Sequence, residues 1–205
     1  MKLCKITNLD IKLTDKYILK NVSTEIKKNI TTVISGKNGS GKSTLLRTIN
    51  DLIKPISGEL VRNFNSPIPM LFQNPVLFDN TVKYNFEILS KIKNTKPNLS
   101  WYNKFNLNKI KYNSIKKISK GERQKLSLSR LMSFDQEVIF MDEPNQNLDI
   151  ESDKKFIDLI LEEKKNNKTI ICILHDLKLA KYIADDFILL DNGKIVYDGS
   201  FNNYI

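Results

Sequence analysis

A glycine-rich stretch with the sequence GKNGSGKST runs from Gly36 to Thr44. It satisfies the pattern G-x-x-x-x-G-K-[ST], between a β-branched run and a helical pattern, as a phosphate-binding loop requires. The glycines allow backbone N–H groups to surround phosphate oxygens, and the helix N-terminus adds positive potential. We predict that Lys42 reaches the β- and γ-phosphates of a nucleotide and that Ser43 ligates Mg²⁺. The complete spacing disfavours the alternative, a glycine-rich turn without a ligand. The predicted phosphate-binding residues are Gly36, Lys37, Asn38, Gly39, Ser40, Gly41, Lys42, Ser43 and Thr44.

Two acidic residues, Asp142 and Glu143, follow the apolar stretch that ends at Met141. Ligands of open α/β sheets bind beyond the carboxyl ends of the strands, so these carboxylates and the glycine-rich loop are expected to converge. We predict that Asp142 serves the Mg²⁺ site and that Glu143 is the base that polarises the attacking water. A helix-capping acid with an acidic neighbour is the alternative for this pair.

His175, the single histidine of the chain, directly follows a second apolar run, Thr169 to Leu174. A lone histidine is more often structural or merely exposed, but here three strands deliver polar groups to one edge of a sheet. We therefore predict that His175 contacts the γ-phosphate. Gln73 follows the short apolar stretch Met70 to Phe72, and taken alone it has the features of an ordinary loop glutamine.

These residues need an α/β scaffold, and the hydrophobic pattern predicts one. Strands alternate with helices from residue 30 onwards, which favours a phosphate-binding-loop NTPase core with a mainly parallel sheet. The first thirty residues alternate in short pieces and predict an antiparallel β-subdomain. We expect helices from Leu45 to the stop at Pro55 and from Ser119 onwards, and a hairpin at Asn192-Gly193. We predict one domain spanning residues 1–205, with a small α-helical lobe at about 82–116.

Composition excludes several other classes of protein. The chain has 205 residues, 40% hydrophobic and 27% charged, which is ordinary for a globular domain. No run approaches the ~20 apolar residues of a spanning helix, and charges break the N-terminus too early for a signal peptide. Cys4 and Cys172 lie in strand-like stretches, so we expect reduced packing residues in a cytosolic protein. The net charge of +10 predicts attraction to polyanions without choosing among them.

In this order, these motifs resemble the ATP-binding subunit of an ABC transporter over essentially the whole chain. Gln73 lies in LFQNP, similar to the family's Q-loop, and ISKGE at residues 118–122 resembles the signature LSGGQ. VIFMDEP at residues 138–144 resembles Walker B with the catalytic glutamate. The resemblance implies nucleotide contacts for Tyr17, Gln73, Ser119, Gly121, Glu122 and Asp149, a metal contact for Gln73, and catalytic roles for Glu143 and His175.

Some positions depart from the family pattern. Lys120 replaces a signature glycine and Glu122 replaces its glutamine, while Asn145 and Asn147 replace small D-loop residues. Ser119-x-x-Glu122 is also a capping box that opens a helix, and both interpretations are compatible. Tyr17 lies 25 residues before Lys42, where the family places an aromatic ring against adenine, although a strand-edge tyrosine is the alternative.

The resemblance implies an ATPase that binds ATP and Mg²⁺ in a head-to-tail homodimer and drives separate integral membrane permease subunits. It implies a peripheral position on the cytoplasmic face of the membrane and an extracytoplasmic substrate-binding protein in the same system, with no nucleic acid as partner. The segment LFDNTV at residues 77–82 resembles importers of small anions more than exporters. The alternative is a soluble ABC-type ATPase that acts on nucleic acid or the ribosome, for which the charge of +10 is the only support.

Overall fold

A computed structural model describes residues 1–92 and 94–204 of the chain. The strands are β1 Lys2–Leu13, β2 Lys16–Lys27, β3 Thr31–Gly36, β4 Ser57–Arg62, β5 Met70–Leu71, β6 Val138–Asp142, β7 Thr169–Ile173, β8 Asp186–Asp191 and β9 Lys194–Ser200. The α-helices are α1 Lys42–Ile49, α2 Val82–Ile92, α3 Ser100–Lys104, α4 Lys120–Leu131, α5 Ile150–Lys165 and α6 Leu177–Ile183. Strands and helices therefore alternate through the second half of the chain, as the pattern predicted.

The main sheet has the strand order β5-β6-β7-β3-β8-β9. The pairs from β5 to β8 are all parallel, and only β9 runs antiparallel, joined to β8 through the turn at Asn192-Gly193. Every residue of β6 and β7 is buried, because layers cover both faces of the sheet. The predicted α/β core with a mainly parallel sheet is confirmed.

A second sheet of three antiparallel strands, in the order β2-β1-β4, confirms the predicted N-terminal β-subdomain. The sequence indicated strands in the first thirty residues, and β4 joins them from residues 57–62. This sheet and α1 cover one face of the main sheet, packing on Ile34, Phe140 and Ile171. Helices α2 to α6 cover the other face, which carries Val33, Met141 and Cys172. Alternate residues of each core strand thus enter two separate hydrophobic clusters.

Helix α1 ends at Ile49, and the expectation that it runs to Pro55 is wrong. Asn50 is completely buried, and its side-chain amide exchanges two hydrogen bonds of 2.9 Å with the backbone of Ile68. The next residue, Asp51, has a left-handed φ of 63°. These two residues turn the chain out of the helix before the proline is reached, since a left-handed residue cannot continue an α-helix.

The segment predicted as a helical lobe, 82–116, contains α2, α3 and two 3₁₀ turns, Leu107–Ile110 and Ile115–Lys117. Its aromatic side chains pack together, with the Phe86 and Tyr102 rings 4.4 Å apart at their centres. Lys93 in this segment, and Ile205 at the end of the chain, lie outside the described residues. The division into one domain with a lobe remains a prediction.

Cys4 and Cys172 are free and buried, and burial raises the pKa of each thiol to about 12. Within residues 1–92 and 94–204, no helix combines the length and apolar character needed to cross a membrane.

Candidate functional site

Three neighbouring parallel strands of the main sheet deliver polar residues to one edge. The glycine-rich loop leaves β3, Asp142 and Glu143 stand at the end of β6, and His175 lies two residues beyond β7. A cavity of about 630 Å³ opens at this edge. It is lined by Ile18, Asn38, Gly39, Gly41, Lys42, Ser43, Thr44, Gln73, Glu143, Gln146 and His175. The sequence predicted this convergence from the positions of the strand ends alone.

Six of the nine residues predicted to bind phosphate line the cavity, and Gly36, Lys37 and Ser40 do not. Gly41 is the N-cap of α1 with a left-handed φ of 104°, and a Cβ there would lie 2.6 Å from Leu19 Cδ2. Among residues 1–92 and 94–204 no side chain caps α1, and the first-turn N–H groups of an uncapped helix are free to bind an acceptor. The loop and the helix N-terminus can therefore receive an anion.

Lys42 is only 5% exposed. Its Nζ donates hydrogen bonds of 2.9 Å to the carbonyl oxygens of Gly36 and Lys37, so the ammonium is held inside the curve of the loop. Burial lowers the pKa of Lys42, and the negative charges of Glu143 and Asp142 oppose this shift. The Lys42 nitrogen thus lies at the wall of the cavity, where phosphate oxygens would be additional acceptors.

Asp142 is completely buried and accepts a hydrogen bond of 3.0 Å from Ser43 Oγ. Arg47 Nη2 lies 3.5 Å from the other carboxylate oxygen. Burial raises the pKa of Asp142, and Ser43 and Arg47 oppose this shift. The sequence reasoning missed Arg47, although it lies four residues after Ser43 and therefore on the same face of α1.

Glu143 has a left-handed φ of 51°, which is uncommon for a residue with a side chain. Gln73 Nε2 donates to Glu143 Oε2 at 3.0 Å, and His175 Nε2 lies 2.8 Å from Glu143 Oε1. Because a carboxylate only accepts, the His175 Nε2 must carry the hydrogen in this contact. Gln73 and His175, which lie far apart in the sequence, therefore meet at the Glu143 carboxylate.

The residues around Asp142 suit a magnesium ion. Asp142 and its partner Ser43 offer a carboxylate and a hydroxyl, and Gln73, which lines the same cavity as Ser43, offers an amide oxygen; all three are hard oxygen donors. Among the described residues no three His, Cys, Asp or Glu side chains gather into a metal site. Mg²⁺ is usually held by one or two carboxylates, with water and substrate phosphates as the other ligands, so the Asp142 carboxylate beside the Ser43 hydroxyl fits this ion.

Comparison with known proteins identifies the family. The family model described as ABC transporter matches residues 19–146 of this chain. This chain belongs to the ABC transporter family, and it is an ATPase. The zinc import ATP-binding protein ZnuC of Rickettsia conorii is 36% identical over 197 residues, covering 94% of this chain and 84% of that protein. The phosphate import ATP-binding protein PstB of Pyrobaculum aerophilum is 34% identical over 230 residues, covering 96% of this chain and 91% of that protein.

Solved structures of ABC proteins share the fold. The structure of an ATP-binding subunit of an ABC transporter has a TM-score of 0.86 at 20% identity, covering 98% of this chain and 91% of that chain. The dimeric ATP-binding cassette MJ0796 in a post-hydrolysis state with ADP and Pi has a TM-score of 0.80 at 24% identity, covering 97% of this chain and 98% of that chain. The family match includes the loop, Gln73, the signature and Glu143. Tyr17, Asp149 and His175 lie outside it.

The ABC signature residues do not line the cavity of their own chain. Ser119 is exposed at the N-terminus of α4, where its Oγ accepts from Glu122 N at 3.1 Å. Glu122 Oε2 in turn accepts from Ser119 N at 2.7 Å, so the capping box suggested by the sequence is present. Gly121 lies between them and packs closely on the backbone of Asn147.

Asp149 of the D-loop is also outside the cavity, and its side chain caps a helix. Its carboxylate accepts from Ser152 N at 2.8 Å at the start of α5 and pairs with Lys125 Nζ at 2.9 Å. These contacts with Lys125 and Ser152 hold the pKa of Asp149 well below its usual range. In this chain, then, Asp149 has structural partners instead of a position beside the phosphate-binding loop.

Tyr17, the predicted adenine platform, is half exposed and is not a lining residue, whereas its neighbour Ile18 lines the cavity. Lys12 Nζ and Lys20 Nζ lie 5.7 and 5.9 Å from the centre of the Tyr17 ring. Gln146, which the sequence reasoning missed, also lines the cavity. Its spacing of three residues from Glu143 was the available signal, because Gln146 N donates to Glu143 O at 3.2 Å and closes a turn.

Proposed function

We propose that this ABC ATPase binds MgATP in the cavity and that hydrolysis there drives transport through separate integral membrane permease subunits. The observation that supports this most directly is the Glu143 carboxylate, held by Gln73 at 3.0 Å and by His175 at 2.8 Å beside the phosphate-binding loop. A carboxylate oriented by two neighbours and set beside a phosphate cradle is suited to act as a general base.

In this proposal the triphosphate lies along the loop from Asn38 to Thr44. Backbone N–H groups and the N-terminus of α1 would donate to phosphate oxygens. Lys42 would neutralise charge at the β- and γ-phosphates, since its ammonium has a third hydrogen beyond the two given to Gly36 and Lys37.

Ser43, Asp142 and Gln73 are the residues proposed to hold Mg²⁺. When bound, the ion would neutralise charge on the phosphate oxygens. Ser43 and Asp142 are already joined by a hydrogen bond of 3.0 Å, so both donors are fixed toward each other. Arg47 would balance the second oxygen of Asp142.

Glu143 is proposed as the base. It would accept a proton from the attacking water as the water oxygen bonds to the γ-phosphorus and the bond to the β–γ bridging oxygen breaks. ADP and inorganic phosphate are the products. His175 would keep the carboxylate in place through its Nε2–H and would contact the γ-phosphate.

The signature residues Ser119, Gly121 and Glu122 are proposed to complete the nucleotide site of a second copy of the chain. Ser119 is exposed and lies outside the cavity of its own subunit, which supports a ligand supplied by another subunit. A head-to-tail dimer with two composite sites would use each α4 N-terminus once. Tyr17 and Asp149 enter this proposal only through the family resemblance.

The permease partners, the cytoplasmic face of the membrane and an extracytoplasmic substrate-binding protein are also part of the proposal. Relatives named for zinc import and for phosphate import support an import role. These relatives are named for the import of different ions, so we infer that the partner proteins select the ion. Import of a small anion remains a prediction.

Co-purification tests the transport role. The tagged chain, expressed with its permease, should be recovered from solubilised membranes at moderate salt as a complex with integral membrane proteins. In vesicles that contain the complex, uptake should require hydrolysable ATP. An ATPase that stays free of membranes and binds polynucleotides with strong salt dependence would instead support the nucleic-acid alternative.

A further inference from the structure

One face of α4 lies against the segment that begins with Glu143. Gly121, Gln124 and Lys125 occupy this face, as their spacing of three and four residues requires. A Cβ at Gly121 would lie 2.7 Å from Asn147 O, so the helix and the segment are in close backbone contact. Lys125 Nζ pairs with Asp149 at 2.9 Å at the far end of the segment.

Gln124 connects this face to the backbone of Glu143 itself. It is 3% exposed, and its Nε2 donates to Pro144 O at 2.8 Å and to Glu143 O at 3.3 Å. Both hydrogens of the amide are therefore used on consecutive carbonyl groups. An apolar side chain at this position would leave the buried Pro144 carbonyl without this donor.

The Gln124 contact falls on a residue with a left-handed backbone conformation. Glu143 has a φ of 51°, a conformation that persists in a residue with a Cβ only where the surroundings fix it. The Glu143 carbonyl is held from two sides, by Gln124 and by Gln146 N at 3.2 Å. From this backbone the Glu143 carboxylate contacts both Gln73 and His175, so a change in the backbone direction would move it relative to both partners.

We propose that Gln124 is a positioning residue for Glu143, through which α4 fixes the orientation of the proposed base. The inference rests on the proposed function, since it takes Glu143 as the base. Helix α4 would then connect the residue offered to the partner's nucleotide with the proposed base of its own subunit. Ser119, offered to the nucleotide of the partner, and Gln124, bonded to the backbone of Glu143, belong to the same helix and lie five residues apart.

Gln124→Met keeps the side-chain length and removes the donor, and Gln124→Glu keeps the shape and replaces the NH₂ group by oxygen. Each variant should lower kcat for ATP hydrolysis by about 10- to 100-fold, because a small displacement of a catalytic group has an effect of this size. The KM for ATP should change less than about threefold, since Gln124 does not line the cavity. Ser129→Ala is the control, because Ser129 is also buried in α4 and its Oγ donates to Lys125 O of the same helix at 2.8 Å.

The decisive measurement adds Gln124→Met to Glu143→Gln and follows single-turnover hydrolysis, with thermal unfolding as the check on folding. If Gln124 acts through Glu143, the second substitution should reduce the residual rate by less than about twofold. An equal loss in both backgrounds, or a Gln124→Met variant with kcat near wild type, would overturn the proposal. Near-normal hydrolysis by Glu143→Gln alone would instead refute the base role on which the proposal rests.

Discussion

Lys42 and Asp142 illustrate the electrostatic problem of this site at the scale of single residues. Both groups are buried. Burial lowers the pKa of Lys42 and raises the pKa of Asp142, which favours the neutral form of each. Local groups oppose both shifts: the negative charges of Glu143 and Asp142 raise the pKa of Lys42, and Ser43 and Arg47 lower the pKa of Asp142. Charges kept in a site of low dielectric act more strongly on a phosphate than the same charges in water.

Replacement of Lys42 by Ala should weaken binding of MgATP by about 100-fold, or ~3 kcal/mol, because one or two charge-assisted hydrogen bonds are lost. Calorimetric titration measures this affinity. Lys54→Ala is the control, since Lys54 is exposed, pairs with Asp51 at 2.8 Å and does not line the cavity. Undiminished binding in Lys42→Ala would refute the assignment of the phosphate-binding loop.

Functional residues could be predicted from the sequence where they are close together in the chain. The loop from Gly36 to Thr44 has its ligands in a row, so spacing alone predicted it. Spacing offered a weaker signal for Arg47 and Gln146, because the role of Arg47 depends on Asp142, 95 residues away, and that of Gln146 depends on a turn at Glu143. The choice between Tyr17 and Ile18 depends on the exact register of β2, which alternation does not determine.

At the scale of elements, Asp149, to which the family resemblance assigns a nucleotide contact, has structural roles within its own chain. Asp149 caps helix α5 and pairs with Lys125. Asp149→Ala should therefore lower the free energy of unfolding by about 1 kcal/mol at pH 7. Asp149→Asn retains a capping group and loses only an exposed ion pair, so it should lower the free energy of unfolding by less than ~1 kcal/mol.

The stabilising contribution of Asp149 should depend on pH. The pKa of Asp149 is below its ordinary value of 3.8 in the folded chain. Its ionic contribution is thus fully present above about pH 4 and is lost as the pH falls further. Urea unfolding at pH 7 and below pH 4 should show the difference between wild type and Asp149→Ala shrinking in acid. A constant difference would contradict the ion-pair account.

The elements themselves were predictable where hydrophobic periodicity is strong. The buried strands β6 and β7 are continuous apolar runs, and the hairpin has the Asn-Gly turn signal. The end of α1 was not predictable, because it depends on the bonds between Asn50 and Ile68 across 18 residues of chain. The pairing of β4 with β1 is likewise a long-range contact that local pattern does not reveal.

At the scale of the whole molecule, the exposed Ser119 and the cavity belong to different parts of one subunit. Ser119→Arg should leave ATP affinity of the monomer within about threefold and reduce hydrolysis to background, because a large cation at the α4 N-terminus blocks only the partner's site. Equilibrium binding at low protein concentration and steady-state ATPase assays separate the two effects. An equal loss of monomer binding would argue against a composite site.

The central claim is that Glu143 is the base of a site that closes between two subunits. Glu143→Gln keeps the size of the side chain and removes the basic carboxylate, so turnover should fall by ~10²–10⁴-fold. ATP affinity should survive, since Lys42, Ser43 and Asp142 are unchanged.

The most direct measurement is size-exclusion chromatography of Glu143→Gln with MgATP at moderate salt, with ADP as the control and ATPase activity assayed on the same sample. The account predicts a dimer with ATP, a monomer with ADP, and hydrolysis reduced by ~10²–10⁴-fold. Near-normal hydrolysis would contradict the role of Glu143, and lost hydrolysis without an ATP-dependent dimer would contradict the shared site.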